Sequence, residues 1–225
     1  ASIRADDPAL QEQLLAPWQA RPHATLEVLH TRDRKRADTD KFVRPLVKAT
    51  GVWFGGGQQQ RIADAYVGTR LEEELLKLLD RGGVIGGTSA GAAIQSKVMI
   101  ASGKTEAVIS TGFDLLPGAI IDQHFSQRDR IGRLMGAVDR FPGQLGLGID
   151  EETALLVQGR RMQVVGAGKV TLCLCKTDDH EAKQVVFEAG RLIDLTALRR
   201  LARDRTGPLF PAKTPGLPEV KQGAL

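Results

Sequence analysis

The stretch Val84-Ile85-Gly86-Gly87-Thr88-Ser89-Ala90-Gly91-Ala92 decides how the rest of the chain is read. An apolar strand over 83–86 runs into Gly-x-Ser-x-Gly, and a helix of small residues over 90–97 follows. Strand, sharp turn and helix are the setting that a nucleophile elbow requires. Such a turn strains the serine backbone, and its neighbours must be Gly or Ala to avoid clashes. Positions 86, 87, 90, 91, 92 and 93 meet that need. The Ser89 hydroxyl then sits at a helix N-terminus, and the Ala90 N–H can help to bind an oxyanion. No Gly-Lys-Ser/Thr follows, which argues against a phosphate loop. The plain alternative is a glycine-rich turn with an incidental serine.

Outward from the elbow, strands and helices alternate. Helices are expected over 8–20, 39–49 (with Pro45 against it) and 71–81, where Leu71, Leu75, Leu78 and Leu79 recur at helical spacing and Gly82 is a stop. Strands are expected over 24–30, 51–54 and 83–86. Further on come a strand ending at 120–121, a helix over 131–140 and strands over 147–150, 154–157, 162–165, 169–175 and 184–188. A last helix is expected over 195–205. The first half therefore predicts a parallel sheet with helices on both faces, and the second half a mixed or antiparallel extension. The expected organisation is one α/β domain over 1–205. A tail follows from 206 to 225, which carries four of the ten prolines.

Composition narrows the class. In 225 residues, 42% are hydrophobic and 26% charged, which excludes a disordered chain, a collagen or a disulfide scaffold. No apolar run approaches the ~18 residues that span a membrane. The net charge of +4 is mild, and no zinc-finger spacing, RNP-like motif or long basic run points to nucleic acid. Cys173 and Cys175 are read as small strand residues rather than a disulfide or metal site, in keeping with a reducing, cytoplasmic compartment. No metal and no cofactor is expected.

A serine nucleophile needs a base, and His124 stands out among the four histidines. It follows the apolar strand of Ile120-Ile121-Asp122-Gln123, at the carboxyl edge shared with the elbow. The orienting acid is sought in Gly148-Ile149-Asp150-Glu151-Glu152, where Asp150 and Glu151 alternate faces and only one can point inward. Arg128, Arg130 and Arg133 follow His124 within nine residues, and arginine forks suit carboxylates. An esterase-like order would instead use Ser89, Asp114 or Asp122, and His180, although His180 lies in a polar turn.

Gly87-Thr88-Ser89-Ala90-Gly91-Ala92, Leu115-Leu116-Pro117-Gly118, Asp122-Gln123-His124-Phe125 and Gly148-Ile149-Asp150-Glu151-Glu152-Thr153-Ala154 together resemble the cyanophycinases. These are serine peptidases related to peptidase E, an aspartyl dipeptidase. The resemblance runs in order from about Thr25 to Thr171. It implies a three-layer α/β sandwich with a mostly parallel sheet, like class I glutamine amidotransferases (flavodoxin-like), with extra strands in the C-terminal half. It implies hydrolysis of multi-L-arginyl-poly-L-aspartate, or of related β-aspartyl peptides, to β-Asp-Arg dipeptides. On this resemblance Ser89 is the nucleophile, His124 the base and Glu151 the acid. Gly56, Gly57 and Ala90 surround the oxyanion, and Gln58, Asp122, Gln123, Arg128, Arg130 and Arg133 meet substrate. Glu106 is a candidate partner for the substrate guanidinium. The family usually carries an acidic residue where Gly57 stands, so the pocket is expected to differ there. The family's first strand is expected to be missing, with Ala1-Ser2 read as the end of the next. Homodimers are common in the family, so the resemblance allows one here. The remaining alternatives are peptidase E-like cleavage of N-terminal aspartyl peptides, or an inactive binding module of the same fold.

Overall fold

The computed structural model describes residues 8–206. Its first half contains α1 (Pro8–Gln19), α2 (Arg34–Ala37), α3 (Asp40–Lys48), β1 (Gly51–Phe54), α4 (Gln59–Tyr66), α5 (Arg70–Asp80), β2 (Val84–Gly87) and α6 (Ala90–Ala93). Side-chain caps set some of the ends: Thr39 Oγ1 accepts from the Phe42 N–H at α3, and Asp33 Oδ1 from the Lys35 N–H at α2. Pro45 sits inside α3 and removes one helical donor. The helix continues because Phe42, Val43 and Leu46 bury one face, and packing outweighs propensity.

β1 and β2 pair in parallel, from Gly51 opposite Val84 to Phe54 opposite Gly87. Val52, Phe54 and Ile85 close onto a core that includes Phe42, Ile62, Tyr66, Leu75 and Phe113. Trp53 lies on the other face, half exposed, with the Trp18 ring of α1 5.3 Å away.

The second half contains β3 (Val98–Ser102), β4 (Val108–Thr111), β5 (Ala119–Gln123), α7 (Ile131–Arg140), β6 (Leu145–Ile149), β7 (Thr153–Gln158), β8 (Arg161–Gly166), β9 (Lys169–Leu174), β10 (Lys183–Glu188), β11 (Leu192–Asp194) and α8 (Leu195–Arg203). A mixed sheet runs β10-β9-β6-β5, and β11-β8-β7 form an antiparallel sheet. One face of the mixed sheet buries Ile120 and Cys173 against Leu134, Ala137 and Val138 of α7. Its other face packs Leu145, Leu147 and Leu172 with Met162 of β8 and with Leu195 and Leu198 of α8.

The elements bear out an α/β architecture and correct several details. Among the described residues only β1–β2 and β5–β6 pair in parallel, and the other five pairings are antiparallel. The described ladders are therefore mostly antiparallel. Parallel strands need a crossover of a dozen or more residues, whereas β7 and β8 are joined through Gly159 and Arg160, which permits only a hairpin. The strand expected over 24–30 forms no ladder with any described strand. Leu29 still packs on the core, and the Thr31 N–H donates to the Tyr66 hydroxyl. The helix after the elbow ends at Ala93 rather than 97, which frees Ser96 to turn toward β5. The helix over 59–66 and the β3–β4 hairpin were not expected. The tail expected from 206 lies, beyond that residue, outside the described residues.

Ser96 is fully buried, and its Oγ accepts from the Ile121 N–H of β5 at 2.9 Å. Ser96→Ala leaves that N–H without an acceptor, so unfolding free energy should fall by about 1–3 kcal/mol in denaturant titrations. Burial, with Asp122 nearby, pushes the Cys173 thiol up to about 12. The unfolded chain sheds this proton above its ordinary 9.0 while the fold retains it, so the fold loses stability as pH rises past that value. Iodoacetamide at pH 8.5 should spare Cys173 in the native protein and alkylate it only after unfolding.

Candidate active site

The elbow follows from steric limits on two glycines. A Cβ on Gly87 would lie 2.2 Å from the Gly91 carbonyl oxygen, and one on Gly91 would lie 2.0 Å from the Phe54 carbonyl oxygen. The first turn of α6 is thus pressed onto the ends of β1 and β2, where no side chain fits. The approach is closed by Thr88 N–H donating to the Phe54 carbonyl and by Gly91 N–H donating to the Thr88 carbonyl. Ser89 is left at φ 54°, ψ −110°, a strained conformation for an L-residue, with its carbonyl accepting from the Ala92 and Ala93 N–H groups.

β5 delivers the histidine in a comparable way. The strand ends at Gln123, and His124 adopts φ 51°. This turn brings Nε2 to 2.8 Å from Ser89 Oγ. β6, paired in parallel with β5, ends at Ile149 and leads through Asp150 to Glu151. Glu151 Oε1 lies 2.7 Å from His124 Nδ1. A carboxylate only accepts, so Nδ1 carries the imidazole proton and Nε2 is left to accept from the serine hydroxyl. The acid is half exposed and the imidazole largely covered, at 48% and 23%. Asp150 turns the other way. It is buried, and its Oδ1 accepts from the Ser126 N–H at 3.0 Å.

The remaining expected residues fall into distinct places. Gly56 abuts the elbow: a Cβ there would lie 3.7 Å from both the Ser89 Cβ and the Thr88 carbonyl oxygen. Gly57, at φ 124°, and the exposed Gln58 lead from β1 into α4, and Ala90 opens α6. Asp122 and Arg133 are buried against each other in a forked pair, Nε to Oδ2 at 2.7 Å and Nη2 to Oδ1. Arg133 Nη1 also donates to the Gly103 carbonyl. Arg130 donates through Nη1 to Asp122 Oδ1 at 3.3 Å, to Gln123 Oε1 at 2.7 Å and to the Gln123 carbonyl. Burial, then the neighbouring Arg133 charge, lowers Arg130 from its ordinary value. Arg128 is exposed in the single turn Ser126–Arg128, and Glu106 is exposed in the loop between β3 and β4. The histidine bonded to Ser89 is His124, whereas His180 is exposed and donates its N–H to Thr177 Oγ1, so the esterase-like order is not formed.

Gln127 also enters the site, and sequence reading gave it no part. Its Oε1 accepts from the Glu151 N–H at 3.1 Å. A side chain that serves a backbone amide 24 residues away leaves no spacing signature. Among the described residues no group of three or more His, Cys, Asp or Glu is arranged to hold a metal ion. No helix among them is long and apolar enough to cross a membrane.

Comparison with known proteins bears on this geometry. The chain is 35% identical over 156 residues to the cyanophycinase of Synechococcus elongatus, covering 65% of this chain and 48% of that protein. It is 37% identical over 157 residues to the cyanophycinase of Nostoc sp., covering 65% and 52%. The cyanophycinase of Geminocystis herdmanii is 36% identical over 156 residues, with 65% and 57% covered. The chain therefore spans about half the length of the curated relatives it matches. Among solved structures, a peptidase from an acI-B1 Actinobacterium superposes with a TM-score of 0.54 at 25% identity, covering 72% of this chain and 66% of that one. Residues 1–165 match the model of Peptidase family S51, and the chain belongs to that family.

Proposed function

We propose that this chain is a serine peptidase that uses Ser89, His124 and Glu151, and that its substrates are cyanophycin or related β-aspartyl peptides, cleaved to β-Asp-Arg dipeptides. The observation that carries the proposal is the continuous hydrogen-bonded line from Glu151 through His124 to a serine held in a strained elbow. In the proposed reaction Ser89 Oγ attacks the scissile carbonyl as His124 Nε2 takes its proton. His124 returns that proton to the leaving amine, and water then resolves the ester by the reverse path. The Ala90 N–H faces the developing oxyanion in this reading, with Gly56 beside Ser89 and Gly57 next along the loop. Membership in a peptidase family and identity to named cyanophycinases support the substrate class.

Within this reading the polar residues after β5 divide their work. Asp122 and Arg133 are buried against each other and fix the end of β5 to α7. The described side-chain bonds of Arg130 all pass through Nη1, which leaves the rest of its fork for a substrate carboxylate. Arg128 and Gln58 are exposed and reach the same ligand from outside. The proposal extends to the class I glutamine amidotransferase-like arrangement, supported by the elbow and the histidine both standing at the carboxyl ends of parallel-paired strands.

Incubation with cyanophycin should release β-Asp-Arg, identified by mass spectrometry. Turnover of α-aspartyl dipeptides in its place would transfer the reading to peptidase E-like cleavage. Ser89→Ala should lower kcat by about 10⁴-fold or more while circular dichroism stays unchanged. A serine-directed fluorophosphonate should label the wild-type protein at Ser89, and a folded protein that stays unlabelled would leave only a binding module. Arg130→Ala should raise KM by about tenfold with a smaller change in kcat. An unchanged KM removes Arg130 from the substrate contacts.

A further inference from the structure

We propose that Gln127 is a positioning residue for the acid of the triad, setting where Glu151 stands by holding its backbone. The inference rests on the roles proposed above for Ser89, His124 and Glu151. The Glu151 side chain is half exposed, and its described side-chain bond is to His124 alone. The placement of its carboxylate is therefore inherited from its Cα.

That Cα is fixed by a seam between two turns. The turn after β5 carries His124, and the turn after β6 carries Glu151. Three successive bonds join them: Phe125 N–H to the Ile149 carbonyl at 3.1 Å, Ser126 N–H to Asp150 Oδ1 at 3.0 Å, and Glu151 N–H to Gln127 Oε1 at 3.1 Å. The first two reach only as far as Asp150. The third is the one that grips the acid itself from the histidine's side. On its other side the Glu151 carbonyl accepts from Thr153 Oγ1, which in turn accepts from the Gly168 N–H, and this ties Glu151 to the β7–β9 region instead. Gln127 thus couples the acid to the same short turn that carries the base, so that the two move together.

Gln127 is exposed, so replacing it removes one acceptor without opening the core. Two variants separate positioning from bulk. Gln127→Met keeps the length and loses the acceptor, and Gln127→Glu keeps an acceptor oxygen at the same reach. Gln127→Met should lower kcat about tenfold with KM within about twofold, as expected when one bond that fixes geometry is lost. It should also weaken the low-field proton resonance of the His124 Nδ1–H shared with Glu151. Gln127→Glu should restore both the resonance and kcat. Wild-type kcat and an undiminished resonance in Gln127→Met would overturn the proposal, as would a Gln127→Glu variant no better than Gln127→Met. If the wild-type protein cleaves no aspartyl peptide, the peptidase reading falls, and the resonance still decides the positioning role. Its loss in Gln127→Met and return in Gln127→Glu support that role. Absence of the resonance from the wild type removes the His124–Glu151 bond and the inference with it.

Discussion

The charge pair between Asp122 and Arg133 is the constraint on which the site depends. Asp122 lies on β5, Arg133 on α7, and the third arm of the guanidinium takes the Gly103 carbonyl in the loop of the β3–β4 hairpin. Three parts of the chain are thereby fixed to one buried point two residues before His124. Desolvating such a pair costs several kcal/mol per ion, so its Coulombic attraction contributes little net stability. What it supplies is a unique geometry. Removing Asp122 strands the Arg133 charge away from water, at a cost of about 3–5 kcal/mol, whereas removing Arg133 leaves Asp122 with Arg130 as its remaining charged partner. The same carboxylate field helps to keep the Cys173 thiol protonated on the neighbouring part of the sheet.

Around that point the backbone takes positive φ at Ser89, His124, Asp129 and Glu152. Ser89 and His124 both have positive φ, and each sits just past the end of a parallel-paired strand. Conformations of this kind cost of order 1–3 kcal/mol each and persist only where the surroundings over-determine them. At the elbow the surroundings are backbone against backbone, through Gly87, Gly91 and Phe54. At the histidine they are the β5–β6 ladder and the bonds that continue it beyond the strand ends. Paired strands hold the site, and the reactive groups stand on short turns just past their ends.

The sequence made the site more legible than the sheet. Gly87 and Gly91 announce the elbow because only residues without a side chain tolerate that contact, so identity at those positions records geometry directly. The alternation of Asp150 and Glu151 likewise foretold that one would face His124 and the other would not, as found. Residues 24–30 misled because their β-branched and apolar alternation describes an extended segment with one covered side, and pairing needs a neighbour that local pattern does not reveal. The helix over 59–66 was obscured because its burial involves Gln59, which reaches the Ile100 carbonyl at 2.8 Å, as well as Ile62, Ala63, Ala65 and Tyr66. The inward turn of Arg133 was hidden for a similar reason: three arginines in nine residues look alike until the helix decides which of them faces the core.

β6 reads Leu145-Gly146-Leu147-Gly148-Ile149, and its two faces are built on opposite principles. The leucines fill the layer beneath α8. The glycines leave space for Val138 and Cys173 at one end and for the Phe125 ring, which follows His124, at the other. Truncation on the first face subtracts atoms and opens a void, whereas any substitution on the second adds atoms and pushes a neighbour aside. A change at Gly148 would displace Phe125 and with it the turn that carries the histidine. This one strand therefore separates two kinds of inherited damage: loss of stability from its leucine side, and loss of alignment in an otherwise folded protein from its glycine side.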